Sequence, residues 1–406
     1  MFIRPVLLAA GLGFCALTAG AEDWPQWRGP NRDNKVTGFQ APATWPKELT
    51  KKWKVTVGDG LASPVLVGDK LYVFTRQGNE EVTRCLDAAT GKEVWVDKYT
   101  AVPVTGAAVG GKGGKGEKYT GPRSSPAVVN GTVCTFGVGG VASGLDAATG
   151  KKLWRKESSG KPKFFTSTSP VGADGLCVVH TGSDDRGELT AFEAATGNEK
   201  WKLPKYGAPY GSPVVATISG TKQVIELSAT NLIGVGLADG KLLWEAPAPK
   251  GGRYVTGTPV VDGSTVIVSG TAFTVEKTGD TFTAKQLWKA QGPHQYNTPV
   301  IVGGQLYGLT GMGQNGKFYC QDVKTGEVVW EDTTSRGECG TVLDAGGVLL
   351  ALSSDSNLVV FNPGAKEFKE VAKYKVADTP TWASPVIAGN RVFVKDRDSL
   401  ILWVIE

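Results

Sequence analysis

Residues 86–95 read Leu-Asp-Ala-Ala-Thr-Gly-Lys-Glu-Val-Trp, and this stretch decides the fold because it recurs along the chain. The best-preserved copies place an acidic residue before a Thr-Gly pair and end on tryptophan, an order typical of a tight turn between two short strands. We call this unit the closer. Further closers end at Trp154, Trp201, Trp244, Trp288 and Trp330, with a degraded copy at Phe368 and a displaced one at Trp53.

A second unit, which we call the opener, precedes each closer. It consists of Ser or Thr, Pro and a small apolar residue, followed by an alternating apolar run with a glycine turn. Openers begin at Ser63, Ser125, Ser169, Ser212, Thr258, Thr298 and Ser384, with a degraded copy at Gly340. After a first interval of 62 residues, their spacing stays between 40 and 46 residues. That period is typical of one four-stranded propeller blade.

Eight openers and eight closers predict an all-β fold, an eight-bladed β-propeller of four-stranded antiparallel blades. The last blade, from Ser384, lacks its own closer, and the displaced closer at Trp53 supplies the missing outer strand. The N-terminal strand therefore closes the ring and removes the free sheet edge at the seam. We also expect the closer tryptophans to lie between neighbouring blades.

The first 21 residues have the layout of a secretory signal peptide. Arg4 precedes an apolar run from Val6 to Leu17, and small residues lead to a cleavage site after about Ala21. Cys15 follows the bulky Phe14, so we do not expect a lipid anchor. The resulting division is a signal peptide over 1–21, an N-terminal arm over 22–52 and the propeller over 53–406, in a periplasmic or secreted protein without a later transmembrane segment.

Composition narrows the function. The 406 residues carry 44 Lys and Arg against 39 Asp and Glu, a small excess spread along the chain that argues against a nucleic-acid partner. Two histidines, His180 and His294, exclude a multi-histidine metal centre. Five cysteines remain after the signal, and their strand positions favour buried apolar residues over a disulfide framework.

Candidate binding residues come from the connections just before the openers, because variable loops on a rigid scaffold carry most binding sites. These connections surround the mouth of the central channel on the variable-loop face. The aromatic and charged side chains among them suit a planar or anionic ligand, or an extended peptide, although they also suit a simple plug of the axis. This collar comprises Arg123, Phe165, Tyr210, Arg253, Tyr254, His294, Tyr296, Asn297, Arg336, Glu338 and Trp382.

Two further features have alternative interpretations. Asp184, Asp185 and Glu188 offer oxygen ligands for calcium, but their spacing is not that of a dedicated calcium loop, which favours solvated turns. His294 is placed to act as a general base, yet no partner residue is evident. We therefore predict no metal site and no catalytic residue.

The repeated strand, turn and Asp-Ala-Ala-Thr-Gly closer resembles the pyrroloquinoline quinone (PQQ) type of repeat over residues 53–404. That family includes quinoprotein alcohol dehydrogenases, BamB-like outer-membrane assembly factors and secreted bacterial proteins, and the segment 23–33 resembles the start of a secreted subgroup. The resemblance implies an ordered arm packed on the ring. It also implies, for the catalytic members, a calcium ion, a catalytic aspartate and a disulfide of adjacent cysteines, for which this sequence offers no match.

These features predict a non-catalytic binding or assembly scaffold without a cofactor. Its partner would be an envelope or secreted protein, or an extended peptide, bound near the axis. The alternative is a PQQ-dependent alcohol or sugar oxidoreductase that binds the quinone and calcium in the collar.

Overall fold

The protein is a ring of eight sheets, described here by a computed structural model over residues 23–105, 119–249, 256–290, 296–311 and 315–406. Within these ranges all regular secondary structure is β, and no helix has the length and apolarity needed to cross a membrane. The strands of blades 1–4 are β2 Val65–Val67, β3 Lys70–Gln77, β4 Glu80–Asp87, β5 Glu93–Thr100, β6 Ala127–Val129, β7 Thr132–Phe136, β8 Val141–Asp146, β9 Lys152–Glu157, β10 Val171–Ala173, β11 Leu176–Gly182, β12 Gly187–Glu193, β13 Glu199–Pro204, β14 Val214–Ile218, β15 Thr221–Leu227, β16 Asn231–Gly236 and β17 Leu242–Pro247. Those of blades 5–8 are β18 Val260–Asp262, β19 Thr265–Val268, β20 Thr271–Thr278, β21 Thr281–Lys289, β22 Val300–Val302, β23 Gln305–Leu309, β24 Phe318–Asp322, β25 Val328–Glu331, β26 Gly340–Asp344, β27 Leu349–Ser353, β28 Asn357–Phe361, β29 Glu370–Lys375, β30 Val386–Ala388, β31 Arg391–Lys395, β32 Ser399–Val404 and β1 Thr50–Thr56.

Each of the first seven blades is an antiparallel meander of four consecutive strands, such as β2-β3-β4-β5. The opener forms the inner hairpin and the closer ends in the outer strand, as the repeat predicts. Turns within the two units lie at one end of the blade, which we call the turn face. Connections between opener and closer, and between blades, lie at the loop face.

The eighth blade confirms the predicted ring closure. Its order is β1-β32-β31-β30, so the N-terminal strand pairs with the last strand of the chain. Thr50 pairs with Val404 and Trp53 with Leu402, and a bulge between Lys51 and Trp53 matches the bulge in the other outer strands. The ring therefore has no unpaired edge at its seam.

The acidic residue of the closer is a turn-former. The Asp87 carboxylate accepts hydrogen bonds from the Thr90 backbone N–H at 2.9 Å and from its hydroxyl at 2.7 Å. These bonds lower the pKa of Asp87. Gly91 follows at φ +70°, a left-handed conformation that glycine adopts without strain.

The closer tryptophans join neighbouring blades, as predicted. Trp154 is buried, and its indole N–H donates to the Ala194 carbonyl of the next blade at 2.7 Å. A Cβ at Gly197, in the Thr-Gly turn of that blade, would lie 2.5 Å from the Trp154 ring. The glycine thus serves the turn and also makes room for the preceding blade's indole. Equivalent bonds join Trp53 to Ala88, Trp95 to Ala147, Trp201 to Leu237, Trp288 to Val323 and Trp330 to Ala365.

Phe368 is not the eighth member of this set, contrary to the repeat-based prediction. In blade 7 the register places Ala372 opposite Val360, the position that tryptophan takes opposite Cys85 in blade 1. Phe368 lies before β29 because the turn there is longer. Its ring packs on Phe361 at 5.4 Å and on Trp330 at 5.7 Å between centroids, so it adds to the packing between blades 6 and 7 and does not fill the space between blades 7 and 8.

The N-terminal arm crosses the turn face and closes the axis. Trp24 pairs with Leu66, Gln26 with Ala127 and Lys35 with Asp344, so the arm adds single bridges to the inner strands of blades 1, 2 and 7. β1 begins at Thr50, inside the segment predicted as arm.

Two buried arginines fix the arm to the ring. The Arg28 guanidinium donates to the carbonyls of Thr298 at 3.1 Å and Pro299 at 2.8 Å, in the blade 6 opener. Arg32 donates to carbonyls in the openers of blades 3 and 4, those of Ser169, Pro170 and Pro213. Both side chains are essentially inaccessible, so the arm is a structural plug.

Candidate functional site

An axial cavity of about 820 Å³ opens in the ring. Its volume lies within the range of about 300–1,000 Å³ that is typical of ligand sites. Trp27 and Arg28 of the arm and the opener hydroxyls line it, together with residues of the connections at the loop face. The cavity is therefore a well, narrowed by the arm on the turn-face side.

A belt of opener hydroxyls surrounds the axis within this well. Each member accepts a hydrogen bond at 2.8–3.0 Å from the backbone N–H of the equivalent opener residue in the preceding blade. The donors and acceptors run Ser384 to Ser63, Ser63 to Ser125, Ser125 to Ser169, Ser169 to Ser212 and Ser212 to Thr258. We call Ser63, Ser125, Ser169, Ser212 and Thr258 the hydroxyl belt. The repeated Ser or Thr before proline thus has a physical reason, since it links successive inner strands.

The structure brings six predicted collar residues to the cavity wall, and their role in binding remains a prediction. They are Arg123, Tyr210, Tyr296, Asn297, Glu338 and Trp382. Arg253, Tyr254 and His294 lie outside the described residues.

One side of the wall is braced by an acidic loop residue. The Tyr210 hydroxyl donates to the Asp184 carboxylate at 2.6 Å, and the same carboxylate accepts from the Lys163 backbone N–H at 2.6 Å. Arg123 donates to the Phe164 carbonyl at 2.6 Å, and burial lowers the pKa of its guanidinium. Asp184 thus acts as a structural brace for the wall.

Two other wall residues each hold a buried hydrogen-bond donor without a partner. Asn297 accepts from the Gly340 backbone N–H at 3.0 Å through Oδ1, while its buried Nδ2 has no partner. The Trp382 indole nitrogen is also buried and without a partner, although its ring packs edge-on against Tyr119 at 5.7 Å. Unpaired buried donors are uncommon in folded proteins and mark a place where a ligand or water belongs.

Arg336 does not belong to the collar, which corrects the sequence-based prediction. Its guanidinium is buried, bonds the Asp332 carboxylate at 2.8 Å and lies over the Phe318 and Phe368 rings. The Arg336 backbone N–H donates to the Gly316 carbonyl, which holds this segment against blade 6. The side chain therefore enters the interblade packing instead of the well.

Phe165 is also turned away from the well. It has a φ of +66°, is buried and belongs to a small apolar cluster with Val138. Its neighbour Phe164 lines the cavity in its place. The left-handed backbone at Phe165 reverses the direction of its side chain, and no sequence pattern here predicts that conformation.

Other wall residues escaped the sequence-based prediction. Trp27 and Arg28 were assigned to the N-terminal arm, for which the sequence predicted no part in binding, and Tyr119 lies in the same connection as Arg123 but was not selected. The opener hydroxyls carried a signal, since they recur in seven blades, but the repeat alone shows only a structural motif. Cys339 also lines the cavity, and burial raises the pKa of its thiol well above the usual range.

The described cysteines are free thiols, and all but Cys339 are buried. Among the described residues no three His, Cys, Asp or Glu side chains come together in a way that would hold a metal ion. Glu338 is the one carboxylate among the described residues that line the cavity.

His180 is a buried interblade contact. Its Nδ1 lies 2.6 Å from the Glu226 carboxylate of the next blade, and its Nε2 lies 2.8 Å from the Tyr206 carbonyl. Burial alone would lower the pKa of His180, but Glu226 and the Tyr206 carbonyl raise it above the ordinary 6.5. The imidazolium form therefore stabilises the folded ring.

We expect the free energy of unfolding to depend on pH through this contact. Because the folded pKa is raised, the stabilisation is complete below about pH 6.5 and is lost as pH rises through the folded pKa. Urea titrations at pH 6 and pH 9 should show that the free energy of unfolding of the wild type falls between these two pH values. In His180→Gln this fall should be smaller by about 1 kcal/mol or more. His294 remains in both proteins as an internal control. Equal pH dependence in the two would contradict the assignment.

Comparison with known proteins gives the family. A model described as outer membrane protein assembly factor BamB matches residues 78–332, most of the propeller. The chain belongs to the BamB family. BamB of Burkholderia pseudomallei is 26% identical over 369 residues, covering 86% of each chain.

Solved structures similar to this BamB-family chain show the same fold. BamB from Moraxella catarrhalis superposes with a TM-score of 0.64 at 15% identity, over 88% of this chain and 98% of the other. Quinohemoprotein alcohol dehydrogenase from Comamonas testosteroni superposes with a TM-score of 0.67 at 16% identity, over 95% of this chain and 81% of the other. At these identities the likeness concerns the fold alone.

Proposed function

We propose that this protein is a non-catalytic scaffold of the bacterial envelope, secreted or periplasmic, that binds a protein partner at the axial well of its loop face. Its relatives are named as outer membrane protein assembly factors, which supports an assembly role in the same compartment. The signal-like segment 1–21 supports export.

The single observation that carries this proposal is the well itself. Aromatic side chains and unpaired donors lie together in a concave site on rigid inner strands, a typical arrangement for binding. Two of the titratable side chains in and around it have structural roles: Asp184 braces Tyr210, and Arg28 holds the arm. Among the described residues, the wall offers recognition groups, and we find no acid and base paired with a nucleophile there.

Deletion of the gene in the source bacterium tests the assembly role. We expect the amount of folded outer-membrane β-barrel protein, measured by heat-modifiable gel mobility, to fall by about half or more and to be restored by the wild-type gene. A double variant Arg123→Ala, Tyr210→Ala should restore it poorly, whereas Lys200→Ala on the outer strand of blade 3 should restore it fully. Unchanged β-barrel content after deletion would contradict the proposal.

The alternative is an oxidoreductase that uses PQQ with calcium, and the wall residues do not fit that group well. Calcium takes six to eight oxygen ligands, chiefly carboxylates, and Glu338 is the one carboxylate on the described wall. The aromatic pairs Phe164–Tyr210 and Tyr119–Trp382 meet at 56° and 62°, so they do not form parallel faces for a flat quinone. Incubation with PQQ and Ca²⁺ followed by a dye-linked alcohol or sugar assay separates the two functions, and turnover would favour the oxidoreductase.

A further inference from the structure

Several hydrogen-bond donors of the wall have no acceptor within the described protein. Asn297 Nδ2 and the Trp382 indole nitrogen are buried and unpaired. The hydroxyl belt uses its oxygen atoms to accept backbone N–H groups, and no described residue accepts from its O–H groups. A ligand that satisfies such a wall must be rich in hydrogen-bond acceptors.

The charged side chains of the wall also favour a ligand that is rich in acceptors, because most of them are cationic. Arg28 and Arg123 both line the well, and Glu338 is the one carboxylate that the described part of the chain places there. Burial lowers the pKa of Arg28 to about 10, so the side chain is still cationic at neutral pH. Cationic groups in a partly enclosed site attract anions more strongly than they would in open water.

The aromatic groups specify the shape of the ligand. Phe164 and Tyr210 form one inclined pair at 6.0 Å between centroids, and Tyr119 and Trp382 form another at 5.7 Å. Tyr296 stands at the wall with 47% of its surface exposed. These separate aromatic patches suit several side chains along an extended chain, and the volume of about 820 Å³ exceeds what one small ring would fill.

From these contacts we propose that the well binds an extended acidic peptide segment of the partner, with its carboxylates on the donors of Asn297, Trp382 and the hydroxyl belt. This inference rests on the proposed function and names the chemistry of its partner. Carboxylate and backbone carbonyl oxygens supply the missing acceptors, while an apolar or aromatic side chain of the segment packs on the inclined rings.

Isothermal titration calorimetry with synthetic peptides tests this proposal. The probe is acetyl-Gly-Glu-Tyr-Glu-Gly-amide, and the matched neutral peptide carries Gln in place of each Glu. We expect the Kd of the acidic peptide to be at least tenfold lower than that of the neutral one. Equal affinities, or no binding of either peptide, would overturn the proposal, as would binding of benzene-1,3-dicarboxylate without binding of the acidic peptide.

Two variants locate the binding. Asn297→Asp keeps the acceptor for the Gly340 N–H but replaces the unpaired donor with a carboxylate oxygen, so it should raise the Kd of the acidic peptide tenfold or more and abolish the preference for Glu. Trp382→Phe keeps an aromatic ring without the N–H and should raise this Kd about fivefold. Asn198→Asp, on the exposed turn between β12 and β13, carries the same charge change and should bind like wild type.

Retention of the Glu preference in both well variants would overturn the proposal, as would its loss in Asn198→Asp. Peptide binding and β-barrel content are independent measurements. A protein that restores β-barrel content but does not bind the acidic peptide would retain the assembly role and lose only the partner chemistry.

Discussion

Replacement of Trp154 by alanine is expected to lower the free energy of unfolding by about 3–5 kcal/mol. The indole is buried between blades 2 and 3, packs against Gly197 and donates to the Ala194 carbonyl at 2.7 Å. The smaller side chain leaves a cavity between two rigid sheets and removes the donor of a buried carbonyl, and neither sheet can move in without disturbing the closed ring. Urea unfolding followed by circular dichroism measures this loss.

Leu153→Ala provides the control, because Leu153 precedes Trp154 on the same strand but has 41% of its surface exposed. We expect this change to alter stability by less than about 0.5 kcal/mol. A Trp154→Ala protein as stable as the control would contradict the packing of indoles between blades.

Arg32→Ala is the second substitution with a large expected effect, a loss of about 3 kcal/mol or more. The buried guanidinium bonds carbonyls in blades 3 and 4, and its removal leaves those of Ser169, Pro170 and Pro213 without this donor on the axis. Arg32→Lys should recover only part of the loss, because an ammonium does not reproduce the planar fork of donors.

The neighbouring Lys35 is exposed, so Lys35→Ala should unfold like wild type. The same urea titrations compare the three variants. An Arg32→Ala protein that keeps wild-type stability would mean that the arm does not depend on its buried arginine.

The repeat made most of the fold predictable, for a physical reason. Turn chemistry, strand alternation and one tryptophan per blade recur at one period, so each copy supports the interpretation of the others. The displaced closer at Trp53 even identified the strand that completes blade 8. The prediction failed at Phe368, where a longer turn moves the aromatic residue off the strand, so that its ring packs between blades 6 and 7 instead of between blades 7 and 8.

The site was less predictable because it depends on side-chain direction in irregular segments. Six collar residues line the well as predicted. Phe165 does not, because its left-handed backbone turns the side chain away and Phe164 lines the cavity instead. Arg336 bonds Asp332 and lies in the interblade packing. The arm also contributes to the well from more than 30 residues before the first opener, as Trp27 and Arg28 demonstrate. Contacts between irregular segments and the well follow no sequence period, so the repeat cannot predict them.

The central functional claim is that the partner contacts the axial well and not the rim of the ring. Site-specific photocrosslinking in the source bacterium tests it most directly, with benzoylphenylalanine placed at Tyr296 or at Val328. Both side chains are exposed, at 47% and 61%, but Tyr296 lines the well whereas Val328 lies on the outer strand of blade 6. A discrete envelope-protein adduct from position 296 and none from position 328 is the predicted result, and the reverse pattern would contradict the account.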